Sequence, residues 1–191
     1  MMSYFLIIIG AIFVNNIVLA QFLGICPFMG VSKRISTGIG MTGAVTFVMV
    51  IATIVTWFIQ NMVLIPFGIT FLQTISFILV IASLVQLVEI VLKKVSPPLY
   101  QALGVFLPLI TTNCAILGVA IMTVAKDFNI VEAVVFAIAS AVGFGLALIS
   151  FAGIREHLEL MNIPDGMKGA PIALIVAGIM ALAFMGFAGM V

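Results

Sequence analysis

Polar and chain-breaking residues divide the sequence into six apolar stretches, near Tyr4–Gly30, Gly38–Asn61, Ile69–Leu92, Leu99–Val124, Ile130–Phe151 and Ala170–Met190. The hydrocarbon core of a bilayer is about 30 Å thick, which a helix of about 20 apolar residues spans. Each stretch therefore predicts one transmembrane helix. The connections are short: "VSKRIST", "MVLIPFG", "KKVSPP", "AKDFN" and "GIREHLELMNIPDGMKG". Only the last is long enough to hold a surface feature of its own.

Composition strengthens this reading. Of 191 residues, 65% are hydrophobic and 7% charged, and the mean hydropathy is +1.46. A water-soluble domain of this size could not carry such a surface. The net charge of +1 says little, because in a membrane protein the placement of Lys and Arg matters more than their sum. Connections one, three and five hold Lys33, Arg34, Lys93, Lys94, Arg155 and Lys168, whereas two and four hold only Lys126. Positive-inside bias then places the odd connections in the cytoplasm and both termini outside. Met1 to Tyr4 carries no positive charge ahead of "FLIIIGAIFV", so the first stretch is expected to be a retained span, not a signal peptide. Two cysteines do not make a disulfide framework.

Those cysteines lie in a repeated pattern. With Cys26 set over Cys114, "LAQFLGICPFMGV" aligns with "LPLITTNCAILGV", pairing Leu19 with Leu107, Gly30 with Gly118 and Val31 with Val119. Both copies read C-x-x-x-G-V, and they fall in spans one and four. Three crossings lie between them, so the expected fold is a single all-α membrane domain over 1–191, built of two inverted three-helix repeats, about 1–95 and 96–191. In such folds the functional site lies near mid-membrane, where equivalent helices are discontinuous.

Local chemistry agrees with a break at each cysteine. Pro27 cannot continue a helix from the preceding turn but suits the start of a new one. Pro108 and "TTN" loosen span four, and Asn113 is a good N-cap just before Cys114. Each sulfur would then face unpaired N–H groups at the positive end of a short helix, which stabilises a thiolate. Irregular backbone at membrane depth must be buried in protein or line a cavity, so both thiols are expected to point inward, toward each other or a partner. A cysteine in a membrane helix is ordinarily a small apolar filler. Two cysteines at related breaks favour ligands instead. Two ligands are half of what an iron–sulfur cluster or structural zinc requires, and His157, the only histidine, lies in the last connection. A second subunit would have to supply the rest.

Other polar residues read more simply. Glu89 stands four residues before Lys93, the spacing of an interfacial ion pair. Asn15 and Asn16 lie deeper, where interhelical hydrogen bonding is favoured over ion coordination. The charges of "GIREHLELMNIP" read as a solvated loop or docking surface, and the small residues after Gly169 as close helix packing. No phosphate loop, dinucleotide fingerprint or catalytic triad is present in the sequence.

"VNNIVLAQFLGICPFMGVSK", "SPPLYQALGVFLPLITTNCAILGVA", "AVGFGLAL", "GIREHL" and "ALIVAGIMALAFMGFAGMV" together resemble the RnfA (RsxA) subunits of the Rnf electron-transport complex, part of a wider NqrD/NqrE/RnfA/RnfE family. The likeness runs over essentially the whole chain. It implies a six-helix subunit of the bacterial cell membrane that pairs with an inverted homologue of the RnfE type. It further implies a 2Fe-2S cluster at the pair's interface, with Cys26 and Cys114 as this chain's metal and cofactor ligands and two cysteines from the partner. The complex so implied moves electrons between ferredoxin and NAD while translocating Na+ or H+. Other Rnf subunits and the lipid bilayer are the remaining expected partners, and no nucleic acid is expected. From the residues alone, a secondary ion transporter or channel subunit remains the alternative, since inverted repeats with broken helices also mark transporters.

Overall fold

The computed structural model of the chain describes residues 2–32, 34–95, 109–110, 112–161 and 164–187. Among these, every regular element is helical. Helix α1 (Met2–Ile9) runs into a π-helical turn, Gly10–Val14, and stops. After turns, α2 (Ile25–Val31) begins, followed by α3 (Ile35–Ile59), a second π segment (Gln60–Leu64), the short α4 (Ile65–Phe67) and α5 (Gln73–Val95). Beyond the next described residues come α6 (Cys114–Ala125), α7 (Ile130–Glu159) and α8 (Ala170–Met185).

Three of these stretches, Ile35–Phe67, Thr70–Ile90 and Ile130–Glu159, are long and apolar enough to cross a membrane. Tyr4–Val14, Cys114–Ala125 and Ala170–Met185 are shorter apolar helices. The expected span over Leu99–Val124 lies in part outside the described residues, as does the end of the last span.

Helix α7 is the centre of the bundle. It packs along α3 and also touches α1, the first π segment, α6 and α8. Helix α3 in turn meets α5 and α6, α5 meets α6, and α8 meets the first π segment. Small residues make the central approach possible: a Cβ on Gly143 would lie 3.2 Å from the Ala11 carbonyl and the Asn16 amide, and one on Gly145 would collide with Thr42. Around this core the outer faces stay apolar. Ile75, Ile78, Leu79, Leu87 and Ile90 of α5 and Leu174, Ile179 and Leu182 of α8 are exposed, a surface suited to lipid and not to water.

Three expectations need correction. The stretch "GIREHLE" is not loop but the last two turns of α7, which starts from a capping box between Asn129 and Glu132 and continues to Glu159. At 1.5 Å per residue a 30-residue helix is about 45 Å long, so its apolar part fills a bilayer and the charged turns stand clear of it. The change from apolar to charged residues marks the membrane surface, not the helix end. Likewise "MVLIPFG" continues α3 as helix to Phe67 and reverses only at Gly68, whose φ of +67° is left-handed. In α8, a Cβ on Gly178 would meet nothing within 4 Å, and only Ala173, Met180 and Ala181 are buried. The close packing of small residues belongs to α7.

Candidate functional site

Asn16 holds the break that precedes the first cysteine. The residue is fully buried. Its Nδ2 donates to the carbonyls of Ile12 (3.0 Å) and Gly143 (2.9 Å), while Oδ1 accepts from the amides of Val18 (3.1 Å) and Leu19 (3.2 Å). One side chain thus replaces backbone bonds the interrupted helix cannot make and ties the turn to α7. This is the interhelical role expected of it. Asn15, by contrast, is exposed and lines a cavity beside Lys126 and Phe136.

The chain re-enters helix at Ile25, with Cys26 and Pro27 in the first turn. Its N-cap is Gly24, at φ +77°. Two independent constraints demand glycine there. The left-handed backbone penalises any other residue. A Cβ would also lie 3.1 Å from Ala115 Cβ, 3.2 Å from Asn113 Oδ1 and 3.2 Å from Phe144 Cε2. The turn before Cys26 is therefore pressed against the turn that carries Cys114.

Helix α6 begins at Cys114 itself. The expected N-cap, Asn113, accepts a hydrogen bond from the Ala115 amide at Oδ1 (3.0 Å). That bond fixes Nδ2 as the donor of the amide, and Nδ2 is buried with no partner among the described residues. An orphaned donor of this kind costs about 1–3 kcal/mol unless an acceptor meets it. Thr111 and Pro108, also expected to loosen this segment, lie outside the described residues.

The crossing explains the repeated C-x-x-x-G spacing. A residue four positions on shares a helix face with the cysteine. At Gly118 that face receives Leu23, which a Cβ would strike; at Gly30 a Cβ would lie 3.4 Å from Leu109 Cδ1. Each motif's glycine admits the leucine that precedes the other motif's cysteine. Both thiols are free and exposed at the surface of the chain, so neither is turned into its own core. Cys114 Sγ makes a long contact, 3.9 Å, to the Thr112 carbonyl. Among the described residues no group of three or more His, Cys, Asp or Glu side chains could hold a metal. The chain by itself offers two thiols.

Helix α2 is clamped onto α7. Phe28 stacks on Phe151 with ring centroids 4.2 Å apart, and Arg155 Nη1 donates to the Met29 carbonyl (2.9 Å) and Ser32 Oγ (2.8 Å). A cation at these carbonyl groups complements the C-terminal end of α2. In the sequence Arg155 reads as part of a solvated surface; its position on α7, one turn beyond Phe151, shows its role. Replacing Arg155 by Met keeps the stem and removes the donors. The expected loss is about 2 kcal/mol of stability, read as a lower thermal midpoint of the purified protein, with Lys restoring part of it.

A family model described as "Rnf-Nqr subunit, membrane protein" matches residues 4–191. The chain belongs to the Rnf-Nqr family. Its Rnf-Nqr relatives include the A subunit of the "Ion-translocating oxidoreductase complex" of Syntrophotalea carbinolica, 58% identical over 100% of this chain and 99% of that protein. The A subunit of the "Na(+)-translocating ferredoxin:NAD(+) oxidoreductase complex" of Acetobacterium woodii is 56% identical over 99% of this chain and 98% of its own length. The corresponding protein of Vibrio cholerae is 52% identical over 100% of this chain and 99% of that protein. The cysteine crossing described above therefore sits in an Rnf-Nqr membrane protein.

Proposed function

We propose that this chain is the A-type subunit of an ion-translocating ferredoxin:NAD+ oxidoreductase complex, and that Cys26 and Cys114 supply half the ligands of a 2Fe-2S cluster shared with a homologous membrane subunit of opposite orientation. The observation that carries this reading is the crossing of the two cysteine turns at Gly24, Gly30 and Gly118, with both thiols free and exposed. The residues fit such a group. Two thiols complete a four-cysteine set only with a partner's pair. The N-terminal ends of α2 and α6 bring partial positive charge to thiolates that would otherwise be costly to bury. Bound, the cluster would supply a one-electron relay between the two membrane faces. This chain's part is to hold two sulfurs in fixed places: Asn16, Phe28 and Arg155 anchor the first cysteine turn to α7, and Asn113 starts the helix that presents the second.

The inverted repeat is supported by the pattern of helix neighbours. On the cysteine alignment, exchanging the halves replaces α2 with α6, α3 with α7 and α5 with α8. Under that exchange α2 against α3 becomes α6 against α7 and α3 against α5 becomes α7 against α8, and these contacts occur. The α3–α7 pair maps onto itself. Such equivalence suits a six-span protein of the cell membrane, and the Lys and Arg of the odd connections favour both termini outside. Alkaline phosphatase fused after Val191 is then expected to be active, and a green fluorescent fusion there dim; the reverse result would invert the topology.

The test of the proposed function is iron analysis and low-temperature EPR of the purified complex, together with maleimide labelling. A reduced 2Fe-2S signal is expected, with Cys26 and Cys114 unreactive until the cluster is removed. A complex without that signal, in which both cysteines label freely, would leave them as surface fillers.

A further inference from the structure

Phe22 stands where the backbone favours glycine. Its φ is +54°, in the left-handed region, which among the described residues only Asp127 shares with it outside glycine. Such a conformation is costly for a bulky residue and persists only where the surroundings over-determine it. Here they do. Upstream, the buried Asn16 amide ties the turn to the Gly143 carbonyl (2.9 Å). Downstream, Leu23 enters the groove at Gly118, and Gly24 is pressed against Ala115 and Asn113. The Leu23 amide donates to the Ile17 carbonyl (2.9 Å) and closes the turn between the two. Phe22 lies between these fixtures and is turned outward, 61% exposed. On the cysteine alignment its counterpart is Ile110, which is buried, so the repeat does not demand the exposure.

The depth of this turn decides what can cover it. Gly143 and Phe144, which it touches, lie at the middle of α7, between the charged ends at Glu132 and Arg155. The turn is therefore level with the middle of the hydrocarbon. Ala20, Gln21 and Phe22 are exposed there and lie outside any helix. Irregular backbone at that depth does not face lipid; it is covered by protein or lines water. An aromatic ring, with Ile25 also exposed three residues on, suits protein over water.

We propose that Phe22 is an aromatic anchor by which this chain holds the homologous membrane subunit of opposite orientation, its ring inserted into that subunit beside the cysteines. The choice of partner rests on the reading of the cysteines given above: Cys26 follows four residues on and is exposed from the same segment, so the protein that meets its sulfur is placed to cover Phe22 as well. Anchors at protein interfaces are enriched in aromatic residues, and rigidity before binding strengthens them. The locked turn supplies that rigidity, because little backbone freedom is left to lose when the partner docks.

The test is photocross-linking in the purified complex, with p-benzoylphenylalanine in place of Phe22 and, as control, in place of Leu79 on the exposed face of α5. Irradiation is expected to join position 22 to the second Rnf-Nqr membrane subunit, identified by its peptides, at least tenfold more often than position 79. Phe22→Gly removes the ring and relieves the backbone, so the chain should fold no less stably than the parent. The pair should nevertheless dissociate about tenfold more readily on dilution in detergent, with Phe22→Leu between the two. The cross-link is expected to survive in a Cys26→Ser complex, so failure of the cluster and failure of the anchor are read separately. Lipid adducts alone from position 22, cross-links only to a protein outside the Rnf-Nqr family, or a Phe22→Gly pair as tight as the parent would each overturn the proposal.

Discussion

Serine at position 26 or at position 114 is expected to abolish both the 2Fe-2S signal and ferredoxin-to-NAD electron transfer in a complex that still assembles. The change exchanges a soft thiolate for a hydroxyl that binds iron poorly, with little change of volume. Both thiols are exposed in the chain, so neither substitution opens a cavity in its core. Packing at the crossing rests on Gly24, Ala115 and Phe144, which both variants keep. Because ligands of one centre act as a unit, the double variant should be scarcely worse than either single one. Iron per complex, EPR amplitude and electron-transfer rate should fall together. Ser83→Ala removes only a bond to the Leu79 carbonyl within α5 and should leave all three unchanged. A Cys26→Ser complex with full iron and normal transfer would show that the cysteine is not a ligand, and the crossing would then need another purpose.

The candidate site was legible in the sequence because its features are local. A proline after a cysteine, an asparagine before one and a glycine four residues on each carry their conformational preference wherever they stand, and the repeat doubled the signal. What the sequence could not show was which surfaces meet. The glycines of α8 and those of α7 look alike as text, yet Gly178 faces open space while Gly143 lies against the Ala11 carbonyl. Arg155 looked like a solvent charge because hydropathy reports the end of the membrane, whereas a helix ends only where its capping fails; its acceptors on Met29 and Ser32 are more than 120 residues away. The burial of Gln60 was hidden for a related reason. It stands at the polar edge of a span, where glutamine is usually hydrated, and only the π turn and the neighbouring α6–α7 connection make it buried. The thiols, expected to point toward each other or a partner, are exposed at the surface of the chain: irregular backbone must be buried in protein, and a chain made to pair can leave that burial to its partner.

Asn16→Leu is the substitution expected to cost the fold most. Leucine is close to asparagine in size but offers no polar atom, so the amides of Val18 and Leu19 and the carbonyls of Ile12 and Gly143 lose their side-chain partner together. Each orphaned group costs about 1–3 kcal/mol, and no water is available in hydrocarbon to replace the bonds. Neighbouring losses do not add in full, so a total on the order of 4 kcal/mol is expected, enough to lower the yield and thermal midpoint of the complex sharply. The measurement also separates the two roles open to a buried asparagine in a membrane helix. A structural tie predicts that the surviving complex responds to Na+ as the parent does and loses stability equally with and without Na+. An ion ligand predicts a stability loss that appears only when Na+ is present, together with a higher Na+ requirement for activity. All four hydrogen-bonding positions of the Asn16 amide go to backbone atoms of the first π segment, the turns after it and α7, which leaves none for an ion. The loss should therefore be the same at every Na+ concentration, and a loss confined to high Na+ would move Asn16 from the scaffold to the ion path.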